Sequence, residues 1–415
     1  MLETASEKLC GIRYDPSNAD QVLAVLGQRF AINITFGHPD SVEHLENGVA
    51  SHLRICLATT LDRTWRFASY PSEPFLSCVA AKNLHRMPET LEETLKKLLN
   101  LVNAGMIDMG QRGELASRLL WLLTKDLFIR TRQDVIDAFP SRWDQHLVDC
   151  QMIPVVDWLE FVFGSSIWDE EVRKTFQNAY MNFSHWVCMD TNIAGSKQGE
   201  ALPSVFRIAV LWRNTNPDVF PVRLNVWTSR HWQRTSAVQC CHQQHLIDKM
   251  IPIYFKGEPG SAKERMSQIL ISDKARKPKD SKLALHTITR RDKTISGEQS
   301  GSESRSLPYI AILADLAWKT SSLCVTFPER GVSDRCLRIY AAGVDDTAYP
   351  FLAGYPALQQ ALENLVHLKK VSDTKKCFSK YLDAQVKFGS TATAEHMEWE
   401  RGRKLPPSPG MESDS

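Results

Sequence analysis

The sequence has no long apolar run. Its most hydrophobic helical stretch, Leu115 to Ile129, is interrupted by Arg118, Lys125 and Asp126, so it is too short and too charged to span a bilayer core of about 30 Å. The opening residues, Met1-Leu2-Glu3-Thr4-Ala5-Ser6-Glu7-Lys8, carry acids and no apolar core, and they read as something other than a signal peptide. An excess of either charge is also missing. Fifty Lys and Arg stand against 48 Asp and Glu, a formal net charge of +2, so nucleic acid or a membrane surface has to be met by a local patch or not at all. The ten cysteines show no Cys-x-x-Cys, and several sit in apolar contexts such as Phe75-Leu76-Ser77-Cys78-Val79. They predict reduced, buried thiols of an intracellular protein, cytoplasmic or nuclear, rather than a disulfide frame. There is no phosphate loop ending in Gly-Lys-Ser/Thr, no Gly-x-Gly-x-x-Gly, no Gly-x-Ser-x-Gly and no His-Glu-x-x-His, which removes the common nucleotide-binding, hydrolase and zinc-protease readings.

What is present is ordinary globular material. The chain is 43% hydrophobic and 24% charged over 415 residues, long for one core, and eleven Trp and seventeen Phe supply apolar surface for two. Residues 1–190 predict an all-α helical domain. Asp20 to Leu26 carries helical apolar spacing, Asp40 can cap a second helix, and Pro71 and Pro74 open an apolar helix from Phe75 to Leu84. Thr90-Leu91-Glu92-Glu93 is a capping-box pattern, Leu115 to Leu123 gives another face, and an aromatic-rich helix is expected from Trp168 to about Val187.

The texture changes beyond the polar connector Gly195 to Glu200. Residues 200–371 predict a mixed α/β domain, with strands at Val205 to Leu211, Val222 to Trp227, Met250 to Phe255, Gln268 to Ser272, Leu283 to Ile288, Tyr309 to Leu313, Leu323 to Phe327 and Cys336 to Ala341. Helices are expected at Arg230 to Ile247 and Tyr355 to Val371. A mobile insertion is expected near 275–306, and a disordered tail over 390–415. The fold class is therefore α+β.

Two clusters bear on chemistry. Cys240-Cys241-His242-Gln243-Gln244-His245 puts Cys241 and His245 four apart, but no further ligands at matched spacing accompany them, so an ordinary helix is expected there and no metal site is assigned. The second begins at Asp248, before the apolar run Met250 to Phe255, and continues in Gln268-Ile269-Leu270-Ile271-Ser272-Asp273-Lys274. This resembles the restriction-endonuclease-like core, in which one strand begins with an acid and its neighbour ends in acid-x-Lys. Two carboxylates there hold Mg²⁺ on the scissile phosphate while the Lys positions water. Asp248 and Lys274 fit as catalytic residues. Ser272, however, occupies the second acid's position, and Asp273 beside it alternates to the opposite face unless a bulge re-aims it. Beyond lies a basic run, Lys274, Arg276, Lys277, Lys279 and Lys282, a candidate for phosphate contact.

Four stretches together, Val22 to Phe30, Ala50 to Cys56, Gly113 to Leu120 and Ala237 to Cys241, are similar to a large uncharacterised protein family of mushroom-forming (basidiomycete) fungi, over residues 15–370. In that family the stretch matching Gln268 to Lys274 resembles an apolar strand ending in Gln-x-Lys. This implies a nuclease-like strand whose second acid is often missing. The expected function is that of a non-catalytic binding or scaffold protein with a degenerate nuclease-like domain, meeting protein partners or nucleic acid through the basic loop. The alternatives are a Mg²⁺-dependent nuclease using Asp248, Lys274 and a further acid, Asp273 or Glu264, and a structural subunit of a larger complex without nucleic-acid contact. Mg²⁺ is the implied cofactor only for the nuclease.

Overall fold

The computed structural model describes residues 2–34, 39–59, 66–108, 114–132, 148–165, 168–188, 228–240, 247–273, 307–327 and 335–367. The expected strands at Val205 to Leu211, Val222 to Trp227 and Leu283 to Ile288, the insertion near 275–306 and the tail from 390 lie outside these residues.

The front half is mainly helical: α1 (Leu2–Cys10), α2 (Ala19–Phe30), α3 (Pro39–Ser51), α4 (Pro74–Leu84), α5 (Pro88–Asn103) and α6 (Glu114–Thr131). Several starts have a local cause. The Asn18 side chain accepts the Gln21 N–H at the head of α2, and Glu73 accepts from Phe75 at the head of α4, where Pro74 fits because the first-turn N–H has no helical partner. At α5 the capping box does not form. Pro88 moves the start forward, Met87 becomes the N-cap without a side-chain bond, and Thr90 falls inside the helix. Gly27 lets the Tyr70 ring lie against the α2 backbone, in space a Cβ would occupy.

The front half is not all-α. β1 (Asn33–Ile34) pairs with β4 (Ile107–Asp108), and β2 (Ile55–Thr59) pairs with β3 (Arg66–Ser69), both antiparallel. The expected division near residue 190 does not coincide with a break in the main sheet either. After a 3-10 turn at Val148–Cys150 come β5 (Ile153–Pro154), α7 (Val155–Phe163), α8 (Glu170–Phe176), β6 (Ala179–Met181) and β7 (His185–Cys188). Then follow β8 (Ser236–Gln239), β9 (Lys249–Phe255), β10 (Met266–Asp273), β11 (Tyr309–Asp315), β12 (Ser322–Thr326), β13 (Cys336–Ala342) and α9 (Pro356–His367). These strands form one mixed sheet in the order β12-β13-β11-β10-β9, with β10, β11 and β13 parallel. The far edge of β9 is shared: β8 pairs with its first residues and β6 with its last.

Two expected helices are corrected. The segment from Trp168 to Val187 is helical only to Phe176 and then supplies β6 and β7. In β7 the polar His185 is as buried as Trp186, so no exposed polar face betrays a strand. Of Arg230 to Ile247, residues 230–233 end a short helix that begins at 228, Thr235 turns the chain at φ 47°, and Ser236–Gln239 is a buried strand. The Cys241 to Leu246 stretch lies outside the described residues.

One sheet face, carrying Ile251, Ile253, Ile269, Ile271, Ile310, Ile312, Leu337 and Ile339, merges with the helices into a single core. Trp121 of α6 is its centre, with Trp158, Phe163 and Tyr349 rings at 5.9, 6.2 and 6.2 Å. The other face carries the smaller Met250–Leu270 and Ala311–Tyr340 clusters. Among the described residues no helix is long and apolar enough to cross a membrane.

Charges are buried in this core. Arg29 of α2 forks onto Asp126 of α6, both side chains fully inaccessible, through a short Nη1–Oδ2 contact and an Nη2–Oδ1 bond of 2.8 Å. Its Nε and Nη2 also donate to the Ser184 carbonyl, at 3.2 and 3.1 Å, reaching the residue before β7. His85 Nε2 lies 2.8 Å from Asp126 Oδ2. Burial alone would raise Asp126, but Arg29 and the His85 hydrogen bond override it and hold the carboxyl well below its usual range. Next to this group, Arg130 pairs with Asp149 at 2.8 Å and Lys125 donates to the Asp149 carbonyl at 2.6 Å. Cys150 follows at once and is joined by a disulfide to Cys78 of α4, so the expectation of reduced thiols fails for this pair. The two are 72 residues apart, and only the packing of α4 on the 3-10 turn reveals them as partners.

Asp126→Ala leaves Arg29 buried without a counter-charge and is expected to cost about 3–5 kcal/mol, read from the urea midpoint. A loss below about 1 kcal/mol would mean the pair behaves like an exposed one. His185, buried at the start of β7, is held down to about 3 by burial and then by Arg29, Arg234 and His231. Between pH 6.5 and about 3 the unfolded chain therefore takes up a proton at this site that the folded chain refuses. Stability should fall as pH falls through this window, by about 1.4 kcal/mol per pH unit from this group. His185→Gln should flatten the slope by one proton; an unchanged slope between about pH 6 and 4.5 refutes the assignment.

Candidate functional site

The nuclease-like pattern falls where β9 begins and β10 ends. These strands are antiparallel with Lys249 opposite Ile271, so Asp248 comes beside Ser272 and Asp273. The backbone of Asp248 bridges two strands, its N–H donating to the Ile271 carbonyl at 2.9 Å and its carbonyl accepting from Cys240 N at 2.8 Å. Gln239 Nε2 reinforces that carbonyl at 3.0 Å. The Asp248 carboxylate folds back on the end of β10, where Oδ2 accepts the Asp273 N–H at 2.6 Å and the Ser272 hydroxyl at 3.2 Å.

Asp273 takes the other side. The β9–β10 and β10–β11 registers run without a bulge, so Asp273 shares the face of Ile269 and Ile271 and lies beneath α6. There its Oδ1 accepts from Ser117 Oγ at 2.7 Å, and its Oδ2 forms a close ion pair with Lys249 Nζ. Ser117 Oγ in turn accepts from Trp121 Nε1 at 3.0 Å, which places the charge pair at the edge of the aromatic core. Burial pushes Lys249 down to about 8, with the Asp248 and Glu114 carboxylates pulling the other way.

Asp248 thus lies beside Ser272, the residue that stands where the expected pattern calls for a second acid. Asp273 turns away into a pair with Lys249. Lys274, Arg276, Lys277, Lys279 and Lys282 lie outside the described residues, and among those described no group of three His, Cys, Asp or Glu side chains converges as a metal site. Sequence reasoning missed Lys249 and Ser117. Lys249 did leave a signal: it occupies the same alternation as Ile251 and Ile253, and a lysine on an otherwise apolar strand face needs a partner. Ser117 left none, because a helical serine among leucines is unremarkable until the sheet packs against it.

Residues 20–145 match a domain of unknown function (DUF8736). The matched segment runs from α2 through α6, so it holds Arg29, His85, Ser117 and Asp126, while Asp248, Lys249 and Asp273 lie outside it. No curated protein and no solved structure matches the chain.

Asp273→Ala should destabilise the protein by about 3–5 kcal/mol, because it removes the direct ion-pair partner of the buried Lys249 ammonium. Lys249→Met combined with Asp273→Leu should fall within about 1 kcal/mol of wild type, or above it, since the apolar pair avoids desolvating two charges. Chemical denaturation of both variants checks the contrast, and equal losses would show that the ion pair is not the interaction holding this end of the sheet.

Proposed function

We propose that the protein acts by binding, as a helical layer joined to a nuclease-like sheet whose metal site is degenerate. One observation carries this reading: the acid available at the end of β10 is Asp273, and it is committed to Lys249 and Ser117 on the helix-facing side, away from Asp248. A hydrolytic metal centre of this type needs two carboxylates on one side of the scissile phosphate, and a serine hydroxyl is a poor substitute for an anionic oxygen as a ligand for Mg²⁺. Asp248 instead accepts hydrogen bonds from Ser272 and the β10 backbone, the role of a residue that fastens a strand end. The basic run from Lys274 to Lys282 follows directly in sequence, giving the protein a means of contacting phosphates.

With Mg²⁺ and either plasmid or single-stranded DNA, wild type and Asp248→Ala are expected to cleave equally little. Magnesium-dependent cleavage by wild type that disappears in Asp248→Ala would instead establish the nuclease. DNA affinity is expected to fall with salt, and replacing Lys274, Arg276, Lys277, Lys279 and Lys282 with glutamine should flatten that dependence by about 0.9 for each phosphate that is no longer neutralised. Absence of DNA binding at low salt would favour a structural subunit that contacts protein only.

A further inference from the structure

Away from that end of the sheet, the turn leading into β8 carries a cluster of cations. The Arg234 N–H donates to the Arg230 carbonyl at 3.1 Å, so the two arginines stand one helical turn apart, and both residues are exposed. Neither pairs with a carboxylate among the described residues. Like charges at this spacing repel, so the helix gains nothing from holding them together. Arg234 reaches across to the loop before α4, donating from Nη2 to the Ser72 carbonyl, with its Nε 3.4 Å from Ser72 Oγ. Ser72 Oγ lies 2.8 Å from His185 Nε2, and His231, between the arginines, sits 2.8 Å from Ser236 Oγ through Nδ1.

A serine hydroxyl on a histidine invites a reading as nucleophile and base, but the surroundings oppose it. His185 Nδ1 meets the Ser184 hydroxyl at 3.1 Å and not a carboxylate, and an imidazolium formed there would sit among Arg29, Arg234 and His231. Burial is the larger part of that penalty, but the arginine charges that add to it favour an anion. Burial and then Arg234 and Arg230 hold His231 down to about 4. The carboxylate nearest in sequence to Ser72, Glu73, is engaged with the Phe75 N–H at the head of α4.

We propose that Arg230 and Arg234, flanked by His231 and Ser72, form a binding site for a phosphate dianion, either free or as the terminal group of a phosphorylated small molecule. The arginines supply charge-assisted donors, and Ser72, whose hydroxyl is taken up by His185, holds Arg234 in place. His231 lies between the two arginines, so an anion held there favours its protonated form.

The test is calorimetric titration of the full chain with inorganic phosphate and with glycerol phosphate, beside sodium chloride at matched ionic strength, with the histidine ring protons followed by NMR. Phosphate should bind, raise the melting temperature above the chloride control and raise the pKa of His231. Tighter binding of the ester identifies a phosphorylated small molecule, and equal binding identifies the free ion. Arg230→Gln should weaken binding about tenfold. Its side chain makes no hydrogen bond or ion pair among the described residues, so this variant tests the site without disturbing the Ser72 loop, whereas Arg234→Gln should both weaken binding and loosen that loop. A phosphate effect no larger than that of chloride, wild-type affinity in Arg230→Gln, or an unmoved His231 resonance would each overturn the assignment.

Discussion

Arg29 and Asp126 are the constraint on which the rest of the architecture depends. A fully buried ion pair contributes little net stability, because desolvation offsets most of the attraction, yet it tolerates almost no displacement once formed. Arg29 uses its remaining donors on the Ser184 carbonyl, and Asp126 accepts from His85, so α2, α6, the end of α4 and the approach to β7 are fixed by one set of bonds. Ser117 lies nine residues before Asp126 on the same helix, about 13 Å along its axis. Fixing one end of α6 therefore aims the other at β10, where Ser117 receives Asp273.

The end of β10 shows how strand alternation decides chemistry. Ser272 and Asp273 are adjacent in sequence and opposite in space. Had the two residues been exchanged, a carboxylate would stand beside Asp248 and a hydroxyl beneath α6. As the chain stands, the acid satisfies a buried lysine, and the position beside Asp248 holds a neutral group. The helical layer and the sheet are thereby joined at the end of β10.

Much of the back-half sheet was legible in the sequence. β9, β10, β11, β12 and β13 match expected strands within a residue or two at each end, because their β-branched and apolar runs are long and bounded by turn residues. β6, β7 and β8 were illegible: they are three or four residues long, rich in aromatics or preceded by a helical turn, and defined by pairing with β9 and with each other. The short β1–β4 and β2–β3 pairs fell among helices for the same reason. At the candidate site, the departure at Ser272 and the opposite alternation of Asp273 could be read from periodicity. Lys249 as the partner of Asp273 could not, because a cross-strand neighbour follows from register, and register between two strands is not visible in either one. Likewise Cys78 and Cys150 carry no mutual spacing signal across 72 residues.

That disulfide has a consequence for how the polypeptide behaves as an object. A covalent bridge turns residues 78 to 150 into a closed ring that contains α5 and α6, with Arg130 and Asp126 inside its circumference and Arg29 and Asp248 on the two free arms. A single backbone cut anywhere in the ring does not divide the molecule. The two products migrate as one species until a reductant is added, so the integrity of the chain on a non-reducing gel says nothing about this stretch of its front half.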